Sequence, residues 1–210
     1  ETLVSESKPD IMTASGPRSS QSVGFLTVCE HEAQGLFGGY LVLNTAGRPL
    51  EFHCTAPVRP SRAQEILYGA TLKAYLYGEQ IGQSLLEKAK TTPLVVFTDA
   101  EPVLTVRGFT SLPVACVIPA PPETPAAASD LTGPLRLDEG RLGPPSPFGL
   151  RVHTFQVGCQ RLAVLQDHEA DAPIIAQHWE PLAADFDLLE PFGRIREAID
   201  EARRSAPRQA

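Results

Sequence analysis

The stretch from Gly38 to Asp99 constrains the fold more than any other part of the chain. Two apolar runs meet at Thr45-Ala46-Gly47-Arg48, where Gly47 can take positive φ and close a hairpin. A long helical pattern follows, and the apolar run Leu94–Thr98 then ends on Asp99. Upstream, Gly24–His31 has the β-branched and aromatic bias of a first strand. Gln34, Gly35, Gly38 and Gly39 read as the loop after it, Tyr40–Asn44 as a second strand and Pro49–Ala56 as a third. Three strands on short loops predict an antiparallel meander.

Pro57 and Pro60 stop the sheet pattern, and Ser61 with Gln64 three residues on forms a capping-box signature. From Arg62 to Lys90 the chain reads as one long helix or two in series. Ala63, Leu67, Ala70, Ala74, Tyr77, Ile81, Leu85 and Ala89 step by three or four and make one stripe. Leu72, Leu76 and Leu86 fall on the opposite side, so the helix is apolar twice over and predicts either a sandwiched element or a covered one. Gly78 and Gly82, four apart, permit close backbone packing.

Leu94–Thr98 is continuously apolar, as a strand covered on both faces should be. Strands are further expected at Val103–Arg107 and Val114–Ile118, with a hairpin from Leu150–Val157 to Arg161–Gln166 turning at Gly158. Asp171–Trp179 reads as a short helix in which Pro173 fits the first turn. Phe192–Arg204 is an amphipathic helix: Ile195, Ala198, Ile199 and Ala202 share a face, and Arg203-Arg204 suit its C-terminal dipole. The expected fold class is α+β or α/β. Its domain order is a disordered tail over 1–22, a core over 23–118, a Pro-rich linker or wrapped loop over 119–147, and 148–210 completing the same domain.

The formal net charge of −7 argues against a dedicated nucleic-acid surface. Four cysteines without C-x-x-C spacing favour buried thiols in a reducing compartment. No run approaches a membrane span, and residues 1–23 lack the apolar core of a signal peptide. These features predict a cytoplasmic protein without membrane contact. The chain opens on Glu1 and not on methionine, which leaves room for an upstream piece.

The order strand–strand–strand–helix–strand, with an acidic residue closing the fourth strand, resembles the first half of the ribonuclease H-like fold. Gly38-Gly39-Tyr40 is similar to that family's glycine-rich strand entry, and Arg62-Ala63-Gln64-Glu65 to its helix start. Leu94–Asp99 resembles its apolar strand ending in Thr-Asp, and Asp167-His168-Glu169-Ala170-Asp171 its C-terminal His and Asp region. The likeness covers residues 24–104, with a weaker echo at 161–171. It implies two-metal hydrolysis of phosphodiesters with Mg²⁺ or Mn²⁺. The implied ligands are Glu65, Asp99 and Asp171, with Glu30 or Glu32 in the first-strand position. Cys29-Glu30-His31 stands where the family carries Asp-Gly-Ser.

Cys29, His31, His53 and Cys54 are zinc-type ligands by chemistry, but in a meander they start two strand spacings apart, and His53 and Cys54 point to opposite faces. Buried thiols and edge histidines account for them, and no partner is evident to orient a Cys–His nucleophile. Carboxylates at the ends of Leu94–Asp99 and Leu162–Asp167 suit Mg²⁺, or simply mark where loops begin. Walker, G-x-G-x-x-G, H-E-x-x-H and G-x-S-x-G patterns are missing. The leading expectation is a non-catalytic interaction subunit of a protein assembly, without cofactor. It would contact another chain or a second copy through Leu72, Leu76 and Leu86. The alternative is a metal-dependent nuclease using Glu30, Glu65, Asp99 and Asp171.

Overall fold

The computed structural model describes residues 21–32, 34–119, 148–181 and 186–205. The segment read as a disordered tail lies outside the described residues as far as Ser20, and the Pro-rich segment from Ala120 to Pro147 likewise. Ser22, assigned to that tail, is buried and opens the first strand.

The fold is mixed α+β around one seven-stranded sheet. β1 (Ser22–His31), β2 (Gly35–Asn44) and β3 (Pro49–Cys54) form the antiparallel meander expected from the sequence. β4 (Val96–Thr98) lies parallel on the other side of β1, and β5 (Val114–Ile118) parallel to β4. β6 (Val152–Val157) and β7 (Gln160–Leu165) form the hairpin around Gly158, and β7 joins β5 antiparallel. The order is β3-β2-β1-β4-β5-β7-β6.

Both faces of this sheet are covered, which explains why β1, β2, β4 and β5 are apolar at consecutive positions. Odd-numbered residues of β1 and β2, such as Phe25, Phe37 and Leu41, pack with Ile175, Trp179 and Ile195. Even-numbered ones, such as Leu26, Tyr40 and Val42, pack with Leu76, Ile81 and Val103. The period-two alternation of a strand therefore sends side chains into two separate cores. Helices α4 (Asp171–Trp179) and α5 (Glu190–Ser205) cover the first face.

The second face departs from the expected long helix. α1 (Arg62–Tyr68) starts at the Ser61–Gln64 capping box, where Gln64 N donates to Ser61 Oγ at 3.2 Å and Ser61 N to Gln64 Oε1 at 2.9 Å. It stops at Gly69, whose φ of 50° breaks the helical path. A 3-10 turn (Gly69–Thr71), a short α2 (Leu72–Ala74), a nine-residue π segment (Tyr75–Gln83) and α3 (Ser84–Lys88) follow. A π turn holds more residues than the 3.6 of an α-helix, so a stripe read at α spacing drifts. Leu76, expected on the side opposite the stripe, is 3% exposed and in the core, whereas Leu67, on the stripe but upstream of the break at Gly69, is 82% exposed.

Two further corrections concern glycines and a strand. β2 begins at Gly35, so Gly38 and Gly39 belong to the strand and not to a loop. They are the points where the flanking layers come nearest the sheet: a β-carbon on Gly38 would lie 2.1 Å from Ile81 Cγ2. Val103–Arg107 is not a strand but part of a 3-10 helix, Glu101–Phe109, which nestles against Gly78 and Gly82. A β-carbon on Gly78 would sit 1.9 Å from Thr105 Oγ1, so the small residues do seat a neighbouring backbone.

Candidate functional site

β1, β4 and β5 point the same way, and their carboxyl ends open into a cleft of about 470 Å³. Open sheets with parallel strands present loops and ligands at this end. Val28, Asp99, Glu101, Cys116 and Ile118 line its floor. Lys73 and Tyr77 reach it from the helical layer on one side, and Arg196 from α5 on the other. Tyr77 lies in the π segment, a distortion that often marks functional positions.

Asp99 stands where the sequence placed it, directly after β4. Its Oδ1 accepts a 2.6 Å hydrogen bond from the buried hydroxyl of Thr27, and its Oδ2 accepts from the Arg196 guanidinium. Arg196 also lies beside Cys29 and favours its thiolate, yet burial is the larger effect and the Cys29 pKa is raised. Cys116, behind the cleft, is pushed up to about 12 by burial, with Glu101 and Asp99 adding to the effect. Both thiols are thus protonated near neutral pH, which disfavours a Cys nucleophile here.

Each of the four candidate carboxylates has a cation of its own. Glu30 faces Lys73 at 4.0 Å, Glu65 pairs with Arg62 at 2.9 Å on the surface of α1, and Asp99 is held by Arg196. Asp171 is buried at the start of α4 and takes a bidentate grip from Arg107, at 2.6 Å to Oδ2 and 3.1 Å to Oδ1. Glu32, the other first-strand choice, is exposed in the turn after β1. Among the described residues, no group of three or more His, Cys, Asp or Glu side chains is placed to hold a metal ion. His31 instead lies 3.7 Å from Asp200, and His53 pairs with Glu51 at 2.6 Å.

The leucines expected at an interface are not equally placed. Leu72 and Leu86 are half-buried against the second core, and Leu76 is inside it. The apolar surface lies one turn earlier: α1 buries none of its residues, with Ile66 68% and Leu67 82% exposed. Tyr68, beside them, stacks on Tyr75 with ring centroids 4.2 Å apart.

Arg196, Lys73 and Ile66 are the positions that sequence reasoning passes over, and Leu67 is one that it reads as part of the apolar stripe. The arginines of α5 carried a signal, since Arg196 falls off the apolar Ile195–Ile199 stripe of a helix docked on the sheet. No helix among the described residues is long and apolar enough to cross a membrane. No protein-family model matches this chain, and no curated protein matches it.

Proposed function

We propose that this chain is a non-catalytic interaction subunit that binds another protein through α1. One observation carries the reading: a seven-residue helix contributes nothing to either core and turns an isoleucine and a leucine to solvent. Covering such side chains is worth about 1.5–3 kcal/mol each, and contiguous exposed apolar patches mark contact surfaces. Leu72, half-buried next to α1, extends the patch toward the body of the domain. The strand order β3-β2-β1-β4-β5, with β2 alone reversed among the five, supports a ribonuclease H-like core as the scaffold. Free cysteines support a reducing, cytoplasmic setting.

The test compares the wild-type chain with Ile66→Asp/Leu67→Asp in affinity capture from the native cell and in light scattering over a concentration series. A partner, or a second copy, should be lost from the variant while its melting temperature stays the same. Equal capture and equal mass for both chains would overturn the reading.

The nuclease alternative requires Glu30, Glu65, Asp99 and Asp171 to share Mg²⁺ or Mn²⁺, and four separate ion pairs weigh against it. Hydrolysis of RNA, DNA or hybrid substrates with either metal, abolished by Asp99→Asn, would decide for it.

A further inference from the structure

We infer that the cleft at the carboxyl ends of β1, β4 and β5 binds a small organic cation, a primary amine or guanidinium carried on an apolar body. The inference is independent of α1, which does not line the cleft. The first argument is charge. Arg196 is taken by Asp99, and the carboxylate nearest Lys73 is Glu30. Glu101 is the acid left over, and its Oε1 is buried without a hydrogen-bond donor among the described residues. A buried acceptor left unpaired is costly, and a donor arriving with a ligand removes that cost. Rotation about the last torsion only exchanges the two oxygens, so pairing the orphan requires the Glu101 side chain, which lines the cleft, to swing its carboxyl toward the arriving donor.

The second argument is shape and lining. A cleft of about 470 Å³ holds a small molecule, and Tyr77 and Phe148 give it aromatic walls beside Val28 and Ile118. Aromatic faces attract cations, and the aliphatic residues suit the body that carries the nitrogen. An anion entering the same space meets Glu101 and the mutually paired Asp99 and Arg196, and gains Lys73, whose ammonium already lies 5.8 Å from the Phe148 ring centroid. The complementary ligand is therefore cationic.

Isothermal titration of the full chain at about 0.15 M salt, where distant surface charges are screened, provides the test. The probes are agmatine and n-butylamine, with butyrate and inorganic phosphate as anionic counterparts. Saturable binding of an amine probe is expected. Glu101→Gln should weaken it roughly tenfold or more, while Glu201→Gln, on the exposed surface of α5, should leave it unchanged. Should Glu101→Gln fail to fold, Ile118→Trp fills the cleft and should abolish binding with Glu101 intact. No saturable binding of either amine to the wild type overturns the inference. So does equal affinity in the folded Glu101 or Ile118 variant, or binding of the anions in place of the amines.

Discussion

Gly39 of β2 lies so close under Ile195 of α5 that a β-carbon there would sit 2.2 Å from Cγ2 of the isoleucine. Its neighbour Gly38 faces Ile81 in the same way on the other side of the sheet. The Gly-Gly pair thus sets how closely both helical layers approach β2. Gly39→Ala is expected to destabilise the chain by about 1–3 kcal/mol in urea unfolding, the usual cost of forcing atoms into a filled core. Ile195→Leu removes the γ2 methyl and should recover part of that loss. Gly108→Ala, with nothing within 4 Å of the new β-carbon, should change stability by less than about 0.5 kcal/mol.

Glu51 ties the third strand to the end of α3. Its carboxylate accepts from His53 at 2.6 Å and from the backbone amides of Lys90 and Thr91, each at 2.9 Å. These bonds, that from His53 foremost, lower its pKa from 4.5 to about 2. A carboxylate depressed on folding stabilises the native state above its ordinary pKa and loses that contribution as pH falls through the depressed one. The gap in urea midpoint between wild type and Glu51→Gln should therefore be full above about pH 4.5 and close as pH approaches 2. A gap that stays constant across that window would show that the charge of Glu51 contributes nothing.

Asp171 and Arg107 join α4 on one face to the 3-10 helix on the other. Arg107 also donates to the Thr110 carbonyl at 2.6 Å, so the guanidinium is fixed from two directions. The Asp171 side chain is 5% exposed, which makes this a buried pair and not a surface contact. Asp171→Asn should cost about 3–5 kcal/mol, because it strands the arginine charge. Arg107→Met with Asp171→Leu removes both charges and should restore most of the loss. Recovery in the double variant, read by thermal melting, separates an ion-pair staple from a catalytic carboxylate, for which stability would be indifferent.

The sequence carried the meander, the Ser61 cap, the β6–β7 hairpin and α5 because each rests on local signals: alternation, a capping box, a glycine turn, an amphipathic stripe. What it hid was non-local or irregular. Asp171 is a candidate ligand by resemblance alone, and its actual partner, Arg107, lies 64 residues away, beyond any local signal. Val103–Arg107 has strand-like composition, yet Pro102 and the close seat against Gly78 favour a 3-10 path. Asp99 was legible as the end of a strand, but its engagement by Arg196 depends on how α5 docks. The π segment has no sequence period of its own, so Leu76, which α spacing puts on the opposite side, joins Tyr77, Ile81 and Leu85 of the stripe in the core.

The break at Gly69 and the π segment after it yield a testable contrast between two leucines. Leu67 and Leu76 are nine positions apart, both were read as helical leucines, and they differ in exposure from 82% to 3%. Leu76→Asp puts a charge into the core shared with Ile81 and Val103 and should unfold the protein or leave it with a strongly lowered melting temperature. Leu67→Asp removes an exposed apolar side chain and should leave the melting temperature of the isolated chain unchanged. Its effect is expected in association alone, since a contact surface is silent until the partner arrives. Circular dichroism melts of the two variants side by side check the placement. A destabilised Leu67 variant would mean that α1 packs inward and would overturn the proposed contact surface on it.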